Sequence, residues 1–293
     1  MLRLACIPVY NEESVITDVI KKTLKYVDKV VVCDDGSTDN TSKRAKEAGA
    51  DVIIHEKNLG KGAAMKSLFK YAKKTGADVI ITIDGDGQFM PEEIPKLLHP
   101  IIENKYDIVI GYRFDNDAEM PSYRKMGNKF LDKMANMASD LPFRDTQSGF
   151  RAYSKKAIEL IDFKTEGFGV DAEILVDASQ KGLKITEEKV TVLYNTGNKT
   201  STKNPVSHTL EVITSLVELI AIRHPLRYLG IPGLILMVTG ILFAVGVISA
   251  FNETRYFSIP STLISVGAIL TGLMLLLMSV VLFSIGRILR RGM

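Results

Sequence analysis

The chain has 293 residues, 37 Lys and Arg against 34 Asp and Glu, and a formal net charge of +3. With 24% charged and 46% hydrophobic residues, it signals neither a nucleic-acid-binding polycation nor a disordered chain. Its length could hold one large domain or two small ones. Cys6 and Cys33 lie in apolar runs and read as small core hydrophobes, so no disulfide framework is expected and a reducing compartment fits the soluble part. The apolar run at the N-terminus is too short for a signal peptide. Almost all long apolar stretches follow residue 228.

Leu2–Val9 reads as a strand running into the loop Tyr10-Asn11-Glu12-Glu13. Asn11 or Ser14 could cap a helix through Lys25, with Val15, Ile16, Val19, Ile20 and Leu24 on one face. Lys29–Cys33 is a second strand, closed by Asp34-Asp35-Gly36-Ser37-Thr38-Asp39. Thr41–Ala48 reads as a helix stopped by Gly49, and Asp51–His55 as a third strand. Asn58-Leu59-Gly60-Lys61-Gly62 opens a helix to about Lys74, and Asp78–Ile83 is a fourth strand. This alternation predicts an α/β domain with a mainly parallel sheet and helices on both faces. In such a sheet the C-terminal ends of the strands share one edge, where ligands bind.

The fourth strand ends in Asp84-Gly85-Asp86-Gly87-Gln88. Asp-x-Asp at that edge can bring two carboxylates to one hard cation, with the Gln88 amide oxygen added; Mg²⁺ and Mn²⁺ suit such donors and are shared with substrate phosphates. A lone Asp-x-Asp is as readily an acidic turn. Gly60-Lys61-Gly62 at a helix start could offer backbone N–H groups and a cation to a phosphate, although the Walker A spacing is absent.

These four segments occur in the order seen in family 2 glycosyltransferases, which the chain resembles. The resemblance implies a GT-A fold, a nucleotide-sugar donor and a divalent metal, Mg²⁺ or Mn²⁺. It further implies that Pro8, Tyr10, Glu12 and one of Asp34 and Asp35 hold base and ribose. Lys61 would join the donor site, Asp84 would lie by the ribose and diphosphate, and Asp86 and Gln88 would hold the metal.

Asp107–Ile110 is a further strand leading into Gly111-Tyr112-Arg113. From Tyr123 to Met137, Met126, Phe130, Met134 and Met137 form an apolar stripe, with Arg124, Lys125, Lys129 and Lys133 largely off it. That pattern suits a helix at a membrane interface and equally one facing a core. Asp145-Thr146-Gln147-Ser148-Gly149-Phe150-Arg151 resembles the acceptor-side motif of polyprenyl-phosphate glycosyltransferases, the dolichyl-phosphate mannose and glucose synthases, and looks closer to the glucose branch. By that resemblance Arg113 and Arg124 would grip the lipid phosphate, with Ser148 beside them; guanidinium groups suit phosphate oxygens through paired, charge-assisted hydrogen bonds. The segment Glu166–Glu173 follows with no assigned role, helix capping being sufficient to explain it. Asn195–Ser201 matches the place of a loop that closes over the donor, where Lys199 is the candidate contact.

His208–Ile222 carries apolar residues at helical spacing. Two uncharged apolar stretches follow, about residues 229–251 and 259–286, each long enough to span a bilayer of roughly 30 Å. The expected organisation is therefore a catalytic domain over 1–204, an interfacial segment over 205–228 and a transmembrane hairpin with a basic tail over 229–293. Arg223 and Arg227 on one side, and Arg287, Arg290 and Arg291 on the other, place the catalytic domain and C-terminus in the cytoplasm by the positive-inside rule.

The expected reaction is inverting transfer of a sugar from a UDP- or GDP-linked donor to dolichyl or polyprenyl phosphate, for glycan assembly. Asp84, Asp86, Arg113 and Arg124 would carry the chemistry. Two alternatives compete. A processive polysaccharide synthase would normally show Gln-x-x-Arg-Trp, and this chain has no Trp. A non-catalytic membrane anchor subunit would not need the intact acidic motif. The expected partners are donor, lipid phosphate and membrane, without nucleic acid; the hairpin could also promote homo-oligomers.

Overall fold

The computed structural model describes residues 1–113, 132, 136, 142–164, 169–193 and 225–291, the side chains beyond residue 285 excepted. The chain divides into two compact units, Met1–Leu216 and Val217–Met293.

The first unit is built on seven strands: β1 (Arg3–Val9), β2 (Lys29–Asp34), β3 (Asp51–Ile54), β4 (Val79–Thr82), β5 (Ile108–Tyr112), β6 (Arg151–Ser154) and β7 (Ile185–Lys189). Their order across the sheet is β3-β2-β1-β4-β6-β5-β7. β6 runs antiparallel to both β4 and β5, while the other pairings are parallel. The sheet is therefore mixed but mainly parallel, as the alternation of elements predicts.

Side chains alternate between the two faces of a strand, so each central strand feeds two cores. Leu4 and Cys6 of β1, with Val31 and Cys33 of β2, pack with Met65, Leu68 and Phe69 of α3 (Lys61–Thr75). Ala5, Ile7, Val30 and Val32 pack on the other face with Ile16, Val19 and Ile20 of α1 (Ile16–Thr23). That face also takes Ile94, Leu97 and Ile101 of α4 (Ile94–Ile102), while α2 (Thr41–Glu47) adds Ala45. Each such fully buried Val, Leu or Ile contributes roughly 1.5–3 kcal/mol over its exposed state. Both cysteines are free and buried, and burial raises both thiols above their ordinary range.

Two further helices, α5 (Lys155–Leu160) and α6 (Val170–Gln180), complete the first unit. α5 is capped by the Ser154 hydroxyl, which accepts from the amide of Ala157 at 3.2 Å. α1 begins at Ile16 with no side-chain cap. Asn11, a candidate cap in the sequence, instead turns its Oδ1 to the amide of Thr38 at 2.8 Å, a short polar side chain bonding across loops rather than down its own helix.

The second unit contains a π-helical turn, Leu226–Gly230, continuous with α7 (Ile231–Thr254), and then α8 (Ile259–Arg291). Leu226–Thr254 and Ile259–Ile285, 29 and 27 residues, are each long and apolar enough to cross a membrane. The two helices meet at small residues: a Cβ on Gly272 would lie 2.6 Å from the Met237 nitrogen, and Ser265 Oγ donates to the Gly240 carbonyl at 3.0 Å. Their outer faces leave Leu242, Val245, Leu263 and Met274 exposed. The expected segment His208–Ile222 lies outside the described residues.

Candidate active site

The parallel pairing of β3, β2, β1 and β4 brings the ends of these strands, and the loops after them, to one edge. The β1 and β2 loops are laced together: Ser37 Oγ accepts from the Asn11 amide at 2.8 Å, and Thr41 Oγ1 from the Glu12 amide at 2.8 Å. Pro8, Tyr10 and Glu12 are half-buried here. Burial pushes the Glu12 carboxyl up to about 7, helped by the charges of Asp86, Asp39 and Asp84.

Asp34 and Asp35 are both buried and spent on the protein itself. Asp34 accepts from the Ser37 amide at 2.8 Å and from the Ser42 hydroxyl. Asp35 accepts from the amides of Leu59 and Gly60, at 3.1 and 2.7 Å, and its Oδ1 lies 2.7 Å from His55 Nδ1. His55 Nε2 in turn lies 2.8 Å from Ser67 Oγ. Asp35 thus anchors the loop that starts α3, a part the sequence reading did not foresee.

That loop delivers Lys61. Its ammonium lies 3.0 Å from Asp84 Oδ1 and 2.9 Å from Asp171 Oδ2. Burial works against the charge, but Asp171 and Asp84 outweigh it and hold Lys61 above the usual lysine range. Asp171 stands in the first turn of α6 and is nearly fully buried. The segment left without a role in the sequence therefore contributes a carboxylate to the site.

Asp84, Asp86 and Gln88 are half-buried at the end of β4. The Gln88 amide donates to Asp86 Oδ1 at 3.0 Å, and the Gln88 carbonyl accepts from the Leu193 amide at 2.9 Å. Burial and the neighbouring Asp84 raise the Asp86 carboxyl, while Lys61 and Arg113 oppose them. Among the described residues Asp86 makes no ion pair. Two repelling carboxylates, one lacking a paired cation, with an amide side chain close by, fit a hard divalent cation shared with substrate. Among the described residues no group of three His, Cys, Asp or Glu side chains forms a cage without substrate.

Arg113, just beyond β5, forks onto Asp145, Nε to Oδ2 at 2.6 Å and Nη2 to Oδ1 at 2.8 Å. Asp145 is fully buried and neighbours Thr146, which donates to Asp132 Oδ1 through both its amide and its hydroxyl, at 2.8 and 2.7 Å. Ser148 is fully buried, its hydroxyl accepting from the Phe150 amide at 3.3 Å. The same loop backs Asp84: a Cβ on Gly149 would fall 2.2 Å from Asp84 Oδ2. The fold thus brings Glu12, Lys61, Asp84, Asp86, Gln88 and Arg113 together. Arg124 and Lys199, and most of the stripe Tyr123–Met137, lie outside the described residues.

Residues 5–161 match the family Glycosyl transferase family 2. The chain is 33% identical over 211 residues, 64% of its length and 84% of the other, to a UDP-N-acetylglucosamine--dolichyl-phosphate N-acetylglucosaminyltransferase of Methanococcus voltae. It is 34% identical over 181 residues, 61% of its length and 77% of the other, to a dolichyl-phosphate hexose transferase of Haloferax volcanii. Its fold matches the crystal structure of glucosyl-3-phosphoglycerate synthase from Mycobacterium tuberculosis in complex with Mn²⁺ and UDP-glucose, with a TM-score of 0.60 and 23% identity over 75% of this chain and 79% of that one. The likeness of fold is to a GT-A-like sheet, and the family match runs from β1 past β6. This chain therefore belongs to glycosyl transferase family 2 and is a glycosyltransferase.

Proposed function

We propose that the protein transfers a sugar from a nucleoside-diphosphate donor to the phosphate of a polyprenyl or dolichyl lipid, with inversion at the anomeric carbon. The observation that carries this reading is the convergence of Lys61, Asp84, Asp86 and Arg113 on one sheet edge, in a chain that also holds two helices fit to cross a membrane. The two relatives bear names that specify a dolichyl-phosphate acceptor.

The donor's base and ribose would lie against Pro8, Tyr10 and Glu12, with Asp34 and Asp35 shaping the loops around them. Asp86 and the Gln88 side chain would hold Mg²⁺ or Mn²⁺, which when bound would neutralise charge developing on the leaving diphosphate. Lys61, held by Asp84 and Asp171, adds fixed positive charge near the same diphosphate. Arg113, steadied by Asp145, would orient the acceptor phosphate, with Arg124, Ser148 and Lys199 as further candidates from the sequence. A phosphate monoester has a second pKa of about 6 and is largely ionised at neutral pH, so attack needs no strong general base. The lipid-phosphate oxygen forms the new bond to the anomeric carbon as the bond to the nucleoside diphosphate breaks. Arginines at 223, 227, 287, 290 and 291 favour a cytoplasmic catalytic unit.

The role of Asp86 is tested with full-length protein in membranes. Asp86→Asn should lower turnover by about 10²–10³-fold and weaken dependence on divalent metal. Replacing polyprenyl phosphate by the free polyprenol should abolish product. Equal product from the alcohol, or retained anomeric configuration, would refute the scheme.

A further inference from the structure

Arg151 is fully buried, and its side chain is the largest among the described residues so enclosed. An arginine at that depth is rare and costly unless bonded. Its Nη1 donates to the carbonyl of Asp171 and its Nη2 to the carbonyl of Thr146, both at 2.8 Å, while Nε has no hydrogen-bond partner. Burial opposes its charge, which is favoured by Tyr153 and by two nearby carboxylates, Asp171 and Asp145. Each is already committed elsewhere: Asp145 to Arg113 and Asp171 to Lys61.

Two ion-paired sets, Arg113–Asp145 and Asp171–Lys61–Asp84, therefore flank Arg151, which bonds to the main chain at Asp171 and beside Asp145. Arg151 is the central cation, and its two bonds go to main-chain atoms of the segments that carry the two flanking carboxylates. One is Thr146, next to Asp145; the other is Asp171 itself. We infer that Arg151 is a positioning residue, setting the separation between Arg113 on the acceptor side and the Lys61–Asp84 pair on the donor side. This rests on the function proposed above. The planar fork of a guanidinium holds two carbonyls in fixed directions, which the point charge of a lysine does not.

The test compares full-length wild type with Arg151→Lys by hydrogen exchange and by steady-state kinetics. Kinetics use whichever of UDP-glucose, UDP-N-acetylglucosamine or GDP-mannose wild type turns over, with polyprenyl phosphate. The lysine variant should exchange faster at 145–150, 170–173 and 61–64, with β1 and β2 unchanged. The KM values for donor and acceptor should each rise about tenfold. A merely structural arginine would lower the active fraction and leave both KM values alone, and that result, or unchanged exchange at 61–64, overturns the inference. Should wild type turn over none of the donors, the exchange data still decide the link while the functional reading fails separately. If Arg151→Lys does not fold, Asp171→Asn keeps the carbonyl that Arg151 holds and removes the carboxylate charge that faces Lys61. That variant should raise the donor KM with the acceptor KM unchanged; an effect on both, or on neither, contradicts the proposed chain.

Discussion

Single residues set the limits of this site. Gly149 leaves no room for a methyl group, since its Cβ would occupy the position of the Asp84 carboxylate. Gly149→Ala should displace that carboxylate from Lys61 and cost on the order of 10²-fold in turnover, as small misplacements do, with the fold retained. Assays against circular dichroism would check this; unimpaired turnover would show that Asp84's position is immaterial. Asp132 gives a pH signature. Burial pushes its carboxyl up to about 7, the nearby Asp145 adding to the effect while the bonds from Thr146 oppose it. A raised folded-state pKa stabilises the fold fully below about pH 4, and that contribution is lost as pH rises through about 7. Roughly three pKa units correspond to about 4 kcal/mol. Asp132→Asn keeps an acceptor for Thr146 and removes the titration, so the variant should gain on wild type as calorimetry moves from pH 5 to pH 8. Parallel stability curves would contradict this.

At the scale of elements, β1 to β5 were legible in the sequence as apolar runs closed by polar or turn residues, and they begin and end within a residue or two of the expected bounds, whereas the short strands β6 and β7 were not read. Asp84 and Asp86 follow such a strand end and Lys61 opens a helix, and the structure brings Lys61 and Asp84 together. What the sequence hides is pairing across the chain. Lys61 meets Asp171 from 110 positions away, and Arg151 bonds to main-chain carbonyls of Asp171 and Thr146, so no local spacing announces either. Asp35 shows another such pairing: His55 and the amides of Leu59 and Gly60 bond to its oxygens, which the local motif does not announce. In the hairpin, Gly272 of α8 sits against the α7 backbone at Gly233 and Met237. Gly272→Leu should force the helices apart and cost about 1–3 kcal/mol. Limited proteolysis of the loop Arg255–Ser258 in detergent would detect the loosening; unchanged resistance would mean that the helices do not depend on this contact.

For the whole molecule, a family 2 glycosyltransferase unit and a pair of bilayer-length helices share one chain, which suits an acceptor that never leaves the membrane. The direct measurement is transfer of label. Membranes containing the full-length protein, polyprenyl phosphate and Mg²⁺ or Mn²⁺ would be given radiolabelled UDP-glucose, UDP-N-acetylglucosamine or GDP-mannose. The account predicts label in organic-extractable lipid from one of these donors, lost in Asp86→Asn membranes. Label from none of them, with the protein folded and the lipid present, would contradict transfer to a lipid phosphate.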